Sequence, residues 1–247
     1  MGRFASTVAY YEIARPPYGA AFFEAVALQL GLDGSKRLLD VGAGPGILAI
    51  GFAPYCREVI GVDPEPGMVE AARAAAERAG ATVSFTQARF EDAAAKLGAF
   101  DLVSIGRAIH WLDPEPAREA LKRALAPRGR VLVCGATSAK DGRNPWLETF
   151  NAVRDRWKGD RISRDHHSFF ADGRFTRTGT VRAEGTYVVP VDRLVDRVLS
   201  MSTSSSARLG DEVPVMKSAM RAALAPFAAD GMIEDIVEAR AEVFERA

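Results

Sequence analysis

The chain has 247 residues, 48% of them hydrophobic, which is enough for one α/β domain with elaborations and a full hydrophobic core. Basic and acidic side chains balance at 32 each, so no global field favours nucleic acid or an anionic membrane surface as partner. The two cysteines, Cys56 and Cys134, fall in or beside apolar runs without metal-ligand spacing, so reduced core thiols and no metal site are expected.

No signal-peptide h-region and no run near 20 apolar residues is present, and a cytoplasmic protein is expected. The first 18 residues hold Phe4, Tyr10, Tyr11, Arg15, Pro16, Pro17 and Tyr18. The Pro-Pro pair ends any helix there and stiffens the segment. Three tyrosines and an arginine read either as a flap over a ligand or as an arm packed on the surface. Ala20 to Leu30 then reads as an amphipathic helix.

Arg37 to Val41 is a short apolar run suited to a buried strand, and Ile47 to Phe52 resumes as an apolar helix. Between them Gly42, Gly44 and Gly46 form a turn where a ligand approaches the backbone without meeting a Cβ. Glu58 to Asp63 is a second strand ending in a carboxylate, about 20 positions past the glycines, placed to take the two hydroxyls of a ribose. The spacing is G-x-G-x-G, not the G-x-G-x-x-G that opens a helix N-terminus to a pyrophosphate. Pro45 removes a backbone donor, and Asp40 adds negative charge beside the turn. Both disfavour a diphosphate and suit a ligand with an ammonium group and a sulfonium.

This stretch resembles motif I of the class I S-adenosylmethionine-dependent methyltransferases. The resemblance implies S-adenosyl-L-methionine as cofactor and S-adenosylhomocysteine as product. It places cofactor contacts at Asp40, Gly42, Ala43, Gly44 and Gly46, and at Asp63, Pro64 and Met68 after the second strand. An Arg-Pro-x-Tyr element is common in the family, and it puts Tyr18 near the methionine end of the cofactor. Tyr11 and Arg15 are then candidates for the substrate side.

Gly67 to Ala79 has helical periodicity stopped by Gly80, and Thr82 to Thr86 is strand-like. The family puts adenine contacts at the tip of this third strand, with a small residue where Phe90 stands and Asp or Ser where Arg89 stands. Phe90 is carried as a cofactor contact, and Glu91 is the candidate acceptor for the adenine amino group. The alternative for Glu91 is an acid at a helix N-terminus, favoured by the macrodipole.

Phe100 to Gly106 reads as a fourth strand running on through Arg107-Ala108-Ile109-His110-Trp111-Leu112-Asp113. This resembles the F-D-L-V…A-x-H-W-F-D signature of the trans-aconitate-type small-molecule methyltransferases. It places Gly106, Arg107, Ala108 and Trp111 against the cofactor, at the carboxyl end of a strand where open α/β sheets hold ligands. Leu121 to Leu125 reads as helix, Pro127 to Gly129 as turn and Arg130 to Cys134 as a fifth strand. Further on, helices are expected over Pro145–Lys158, Leu194–Met201 and Met216–Leu224, with a polar loop at Ser202–Ser206. Strands are expected over Thr180–Val191 and Val237–Val243. The charged stretch Arg154 to His167 reads as a solvated face or an anion-binding wall.

Three strand-helix alternations in about 100 residues indicate a parallel sheet with right-handed crossovers. With the family resemblance, the expected fold is α/β: a Rossmann-like, seven-stranded, mostly parallel sheet with helices on both faces. Residues 1–30 form an arm or lid, 31–137 the S-adenosylmethionine-binding core, and 138–247 a cap insertion and the completion of the sheet, in one structural domain. The arm and the 140–215 region are expected to supply a helical cap that selects the substrate.

In-line methyl transfer depends first on positioning, worth roughly 7–11 kcal/mol, and then on a base worth about 3–5 kcal/mol. His110 is the best-placed base among three histidines; the alternative is a structural imidazole. His166 or His167 is a substrate-contact candidate, against a surface pair. Trp111 and Trp146 read as walls for a planar substrate or as core. The expected activity is methyl transfer to an oxygen or nitrogen of a small-molecule acceptor, by a monomer or homodimer. The rivals are a nicotinamide-dependent oxidoreductase, which needs the wider glycine spacing, and a non-catalytic S-adenosylmethionine-binding module. A nucleic-acid methyltransferase lacks the basic stripe with stacking aromatics.

Overall fold

Strand β1 (Arg37–Val41) lies between β2 (Glu58–Asp63) and β4 (Phe100–Gly106), and all three run parallel. The computed structural model describes residues 14–159 and 166–247. β3 (Ser84–Gln87) adds to β2 and β5 (Leu125–Ser138) to β4, both parallel. With β6 (Phe175–Pro190) and β7 (Met232–Arg246) the seven-stranded sheet has the order β3-β2-β1-β4-β5-β7-β6. The direction of β7 reverses: Arg130 meets Glu245 at 2.8 Å, while the Ala139 N–H donates to the Ile236 carbonyl at 2.7 Å. The expected Rossmann-like mixed sheet is found.

The inner strands carry apolar runs because helices cover both faces of a parallel sheet. Helix α1 (Ala20–Leu30) precedes β1, and α2 (Ile47–Phe52), α3 (Pro66–Ala79), α4 (Phe90–Ala93) and α5 (Pro114–Ala124) follow the strands in turn. Two polar residues interrupt the run in the central pair. Asp40 of β1 stands directly opposite Ser104 of β4 in the strand register, and both are buried.

Several boundaries differ from the sequence reading. β3 starts two residues later than expected, and α5 takes in all of Pro114–Ala124 because Pro114 suits the first helical turn. β4 stops at Gly106, and Ile109–Trp111 is a single 3₁₀ turn. Pro127 to Gly129 is not a free turn: Leu125 already pairs with Phe100, and the next pairing is Leu102 with Arg130. The residues between are absorbed as an irregularity within β5.

The chain divides into two compact units. One comprises residues 18–135, 162–183 and 239–247. Its core packs Leu39, Val41, Val103, Ile105, Leu121 and Val131 with Phe169, Phe170 and Phe244. Leu39, Val103, Ile105 and Leu121 have no exposed surface, and burial of each such side chain is worth about 1.5–3 kcal/mol. In the same unit α7 (His166–Phe169) packs its backbone against the 3₁₀ turn Ile109–Trp111.

The other unit comprises residues 1–17, 136–161 and 184–238. Its helices α6 (Leu147–Arg154), α8 (Val191–Leu199) and α10 (Val213–Leu224) surround Trp146, Leu194, Val198, Met216 and Met220. Where a loop was expected over Ser202–Ser206, Ser202–Ser204 is a 3₁₀ turn that leads into α9 (Ser206–Leu209). A buried ion pair threads this core: Arg197 Nη2 lies 2.8 Å from Asp235 Oδ2. The same guanidinium donates to the Ser138 hydroxyl and the Ala14 carbonyl. Among the described residues no helix is long and apolar enough to cross a membrane.

Candidate active site

Gly42 and Gly44 open the turn after β1 with φ of 63° and 54°, in the left-handed region. A Cβ on Gly42 would come within 2.5 Å of the Ala108 Cβ, so this backbone is pressed against the segment after β4. A Cβ on Gly44 would meet nothing within 4 Å, so there is open space beside this residue. Gly46 caps α2 at its N-terminus, and Ala43 is buried with its N–H donating to the Val62 carbonyl.

Asp63 ends β2 beside this opening. One carboxylate oxygen accepts the Gly44 N–H at 2.8 Å and the other accepts the Glu65 N–H at 2.9 Å. The residue is 8% exposed, and burial raises its pKa above the usual carboxylate range against those two hydrogen bonds. A carboxylate has about four lone-pair sites, so each oxygen keeps acceptor capacity after these bonds. Asp40, 1% exposed, accepts the Ser104 hydroxyl at 2.7 Å. Burial pushes its carboxyl up to about 7, opposed chiefly by the Ser104 bond. The turn therefore stands over two carboxyl groups that burial has made costly to ionise.

The segment after β4 supplies the facing wall. Arg107 adopts φ 57°, an uncommon conformation for a residue with a side chain, and its N–H donates to the Cys134 carbonyl. Its guanidinium lies 5.0 Å from the centroid of the buried Tyr18 ring. The Tyr18 hydroxyl lies beside Gly106, 3.2 Å from where a Cβ would stand. His110 and Trp111, both half-buried, have ring centroids 4.9 Å apart. The helix opened by His166 and His167 packs against this turn.

At the tip of β3, Glu91 is held in the first turn of α4. Its Oε1 is buried with no hydrogen-bond partner among the described residues, and Arg89 Nε lies 3.6 Å from Oε2. A buried acceptor without a donor costs free energy until a ligand supplies one. Pro64 is exposed after β2.

Phe90 and Met68 are each 3% exposed, as deeply buried as Tyr18 at 5% and Asp40 at 1%. Trp146 is 1% exposed, edge-on to Phe150, and its indole N–H donates to the Glu234 carbonyl. It is a core anchor of the other unit, not a substrate wall. Arg15, in that unit too, donates to the Ser200 carbonyl at 2.8 Å. Of the charged stretch, Arg154 and Lys158 both turn to Asp155, which favours the solvated face. Tyr11 lies outside the described residues. Ser104 was not expected at the site; its signal was a polar residue set between Leu102-Val103 and Ile105 in β4.

Residues 39–133 match the model of a methyltransferase domain. An uncharacterized methyltransferase of Mycobacterium tuberculosis strain H37Rv is 31% identical over 199 residues, 81% of this chain and 76% of that one. The chain belongs to the class I S-adenosylmethionine-dependent methyltransferase family. A ubiquinone biosynthesis O-methyltransferase of Cereibacter sphaeroides is 34% identical over 122 residues, 49% of this chain and 47% of that one. The fold of this methyltransferase matches a Thiobacillus denitrificans S-adenosylmethionine-dependent methyltransferase solved with S-adenosyl-L-homocysteine, at a TM-score of 0.56 and 16% identity. That match covers 100% of this chain and 99% of the other. The residues present fit the cofactor that the methyltransferase family uses: an open cradle at Gly44, carboxylates at two strand tips, and an orphaned acceptor at Glu91.

Proposed function

We propose that this methyltransferase moves the methyl group of S-adenosylmethionine to an oxygen or nitrogen of a small-molecule acceptor, in a site built on the carboxyl ends of β1, β2 and β4. The carrying observation is the Asp63 carboxylate, fixed by the Gly44 and Glu65 N–H groups at the mouth of the glycine turn. A carboxylate held by two backbone donors is pre-oriented to accept both hydroxyls of a ribose diol. Asp40 and the turn face the cationic end of the cofactor, and Glu91 Oε1 accepts the adenine amino group. Tyr18, Gly106, Arg107 and Ala108 close the methionine side.

The bound cofactor supplies an electrophilic methyl carbon on a sulfonium, and the chain contributes position. The turn and Asp63 would hold the donor, and His110 would take the proton that the acceptor hydroxyl or amine gives up. Trp111 contacts the acceptor; the side chains of His166 and His167 lie outside the described residues. The A-x-H-W-x-D element over Ala108–Asp113 supports a place in the trans-aconitate-type branch. The Cereibacter relative, an O-methyltransferase by name, supports an oxygen acceptor.

Methyl-labelled S-adenosylmethionine, incubated with the protein and a cell extract, tests the reading. Label entering the small-molecule fraction is expected. Label confined to nucleic acid or protein would refute the acceptor class, and tighter binding of a nicotinamide dinucleotide than of S-adenosylhomocysteine would refute the cofactor.

A further inference from the structure

β6 ends the sheet, with no described strand on its outer side. A long regular edge is a template for another strand, and folded proteins usually blunt it with proline, lysine or a bulge. Between Thr176 and Val189 this strand has neither proline nor lysine. Phe175, Val181 and Val189 are buried on one face. On the opposite face Thr178, Arg182, Glu184, Thr186 and Val188 are exposed.

We propose that β6 pairs antiparallel with β6 of a second copy of this chain, about a two-fold axis through Ala183. Such an axis is perpendicular to the sheet and keeps every side chain on its own face. Only residues of like parity can then stand opposite each other. Centring on Arg182 opposes two arginines, centring on Glu184 opposes two glutamates, and centring on Val181 leaves Arg182 opposite threonine. Centring on Ala183 sets Arg182 of each copy against Glu184 of the other, with Thr180 against Thr186 and Thr178 against Val188. Opposite charges and threonine pairs are favourable cross-strand neighbours, and like charges are not. One register satisfies the strand and its neighbours do not.

The surrounding charges point to the same pairing. Arg143 binds Glu184 through two bonds of 3.0 and 2.7 Å, and it also binds Asp141 at 2.8 Å and Glu238 at 3.4 Å. One guanidinium thus serves three carboxylates, and the cluster around Glu184 keeps surplus negative charge. Arg182, exposed two residues away, forms no ion pair among the described residues. Each copy offers a cation that the other's cluster lacks, which is the self-complementarity a two-fold interface requires. The inference does not depend on the activity assigned above.

Ala183→Cys tests the axis directly. Directly opposed residues of an antiparallel pair have Cα atoms about 4.5–5.5 Å apart, within disulfide reach. Under mild oxidation this variant should form a cross-linked dimer well above the background that Cys56 gives in the unsubstituted chain. Thr178→Cys, more exposed but facing Val188, should cross-link more slowly. By sedimentation equilibrium the unsubstituted protein should dimerise as concentration rises, and Arg182→Glu should weaken that dimer at least about tenfold. A protein monomeric at every concentration, Ala183→Cys no faster than Thr178→Cys, or Arg182→Glu without effect would each overturn the pairing.

Discussion

Asp40 and Asp63 stand where burial opposes charge, and a cationic cofactor changes that balance. The carboxyl of Asp40, pushed up to about 7, is part-protonated near neutral pH. A folded pKa above the unfolded 3.8 means that the stability linked to Asp40 is fully present below the unfolded value and is lost as pH rises through about 7. A cation bound nearby favours the carboxylate and lowers that pKa. S-adenosylmethionine affinity should therefore rise between pH 6 and pH 8, with proton release on binding, both weakened in Asp40→Asn. Calorimetry in buffers of different ionisation enthalpy measures this; proton uptake, or affinity flat with pH, would exclude Asp40 as the group facing the cation.

His110 stands half-buried against Trp111 on the turn after β4, within the wall the cofactor would face. As a general base it is worth about 10²–10⁴ in rate. His110→Ala should lower kcat by that order while changing the Kd for S-adenosylhomocysteine by less than about threefold. Single-turnover kinetics beside a binding titration separates the two, and unchanged turnover would return the residue to a packing role.

Among the elements, those fixed by a clear period and a clear stop were read correctly from sequence: α1, β1, α2 and β2 coincide with their expected ranges. The misreadings have physical causes. Pro127-Arg128-Gly129 carries turn chemistry, yet pairing of Leu125 with Phe100 on one side and Arg130 with Leu102 on the other holds it in the strand. Tertiary pairing overrides local preference there. Trp146 was ambiguous by composition and was decided by the indole bond to Glu234.

The Arg197–Asp235 pair was illegible because its partners lie on α8 and β7, 38 residues apart, with further partners at Ala14 and Ser138. It makes a prediction for the elements it joins. Asp235→Ala leaves an uncompensated guanidinium in a core and should cost about 3–5 kcal/mol, lowering the urea midpoint. The paired replacement Arg197→Met with Asp235→Ala should recover much of that loss, since no buried charge is then left over. A double variant less stable than Asp235→Ala alone would contradict the account of the pair as a mutually compensated charge.

For the molecule as a whole, the glycine turn, the carboxylate at the second strand and the strand-helix alternation were enough to anticipate the sheet and the family. They were not enough to locate Ser104 behind Asp40 or the left-handed Arg107, because both depend on a register and a backbone angle that only the assembled sheet defines. The central claim is that the turn at Gly42–Gly44 and the tip of β2 grip one nucleoside. Calorimetric titration of S-adenosylhomocysteine into the unsubstituted protein and Asp63→Ala tests it most directly. The unsubstituted protein should bind at one site per chain and the variant about ten- to hundredfold more weakly, the loss expected for a charge-assisted contact of about 1.5–3 kcal/mol. Affinities within about twofold of each other, or no binding to either, would contradict the claim.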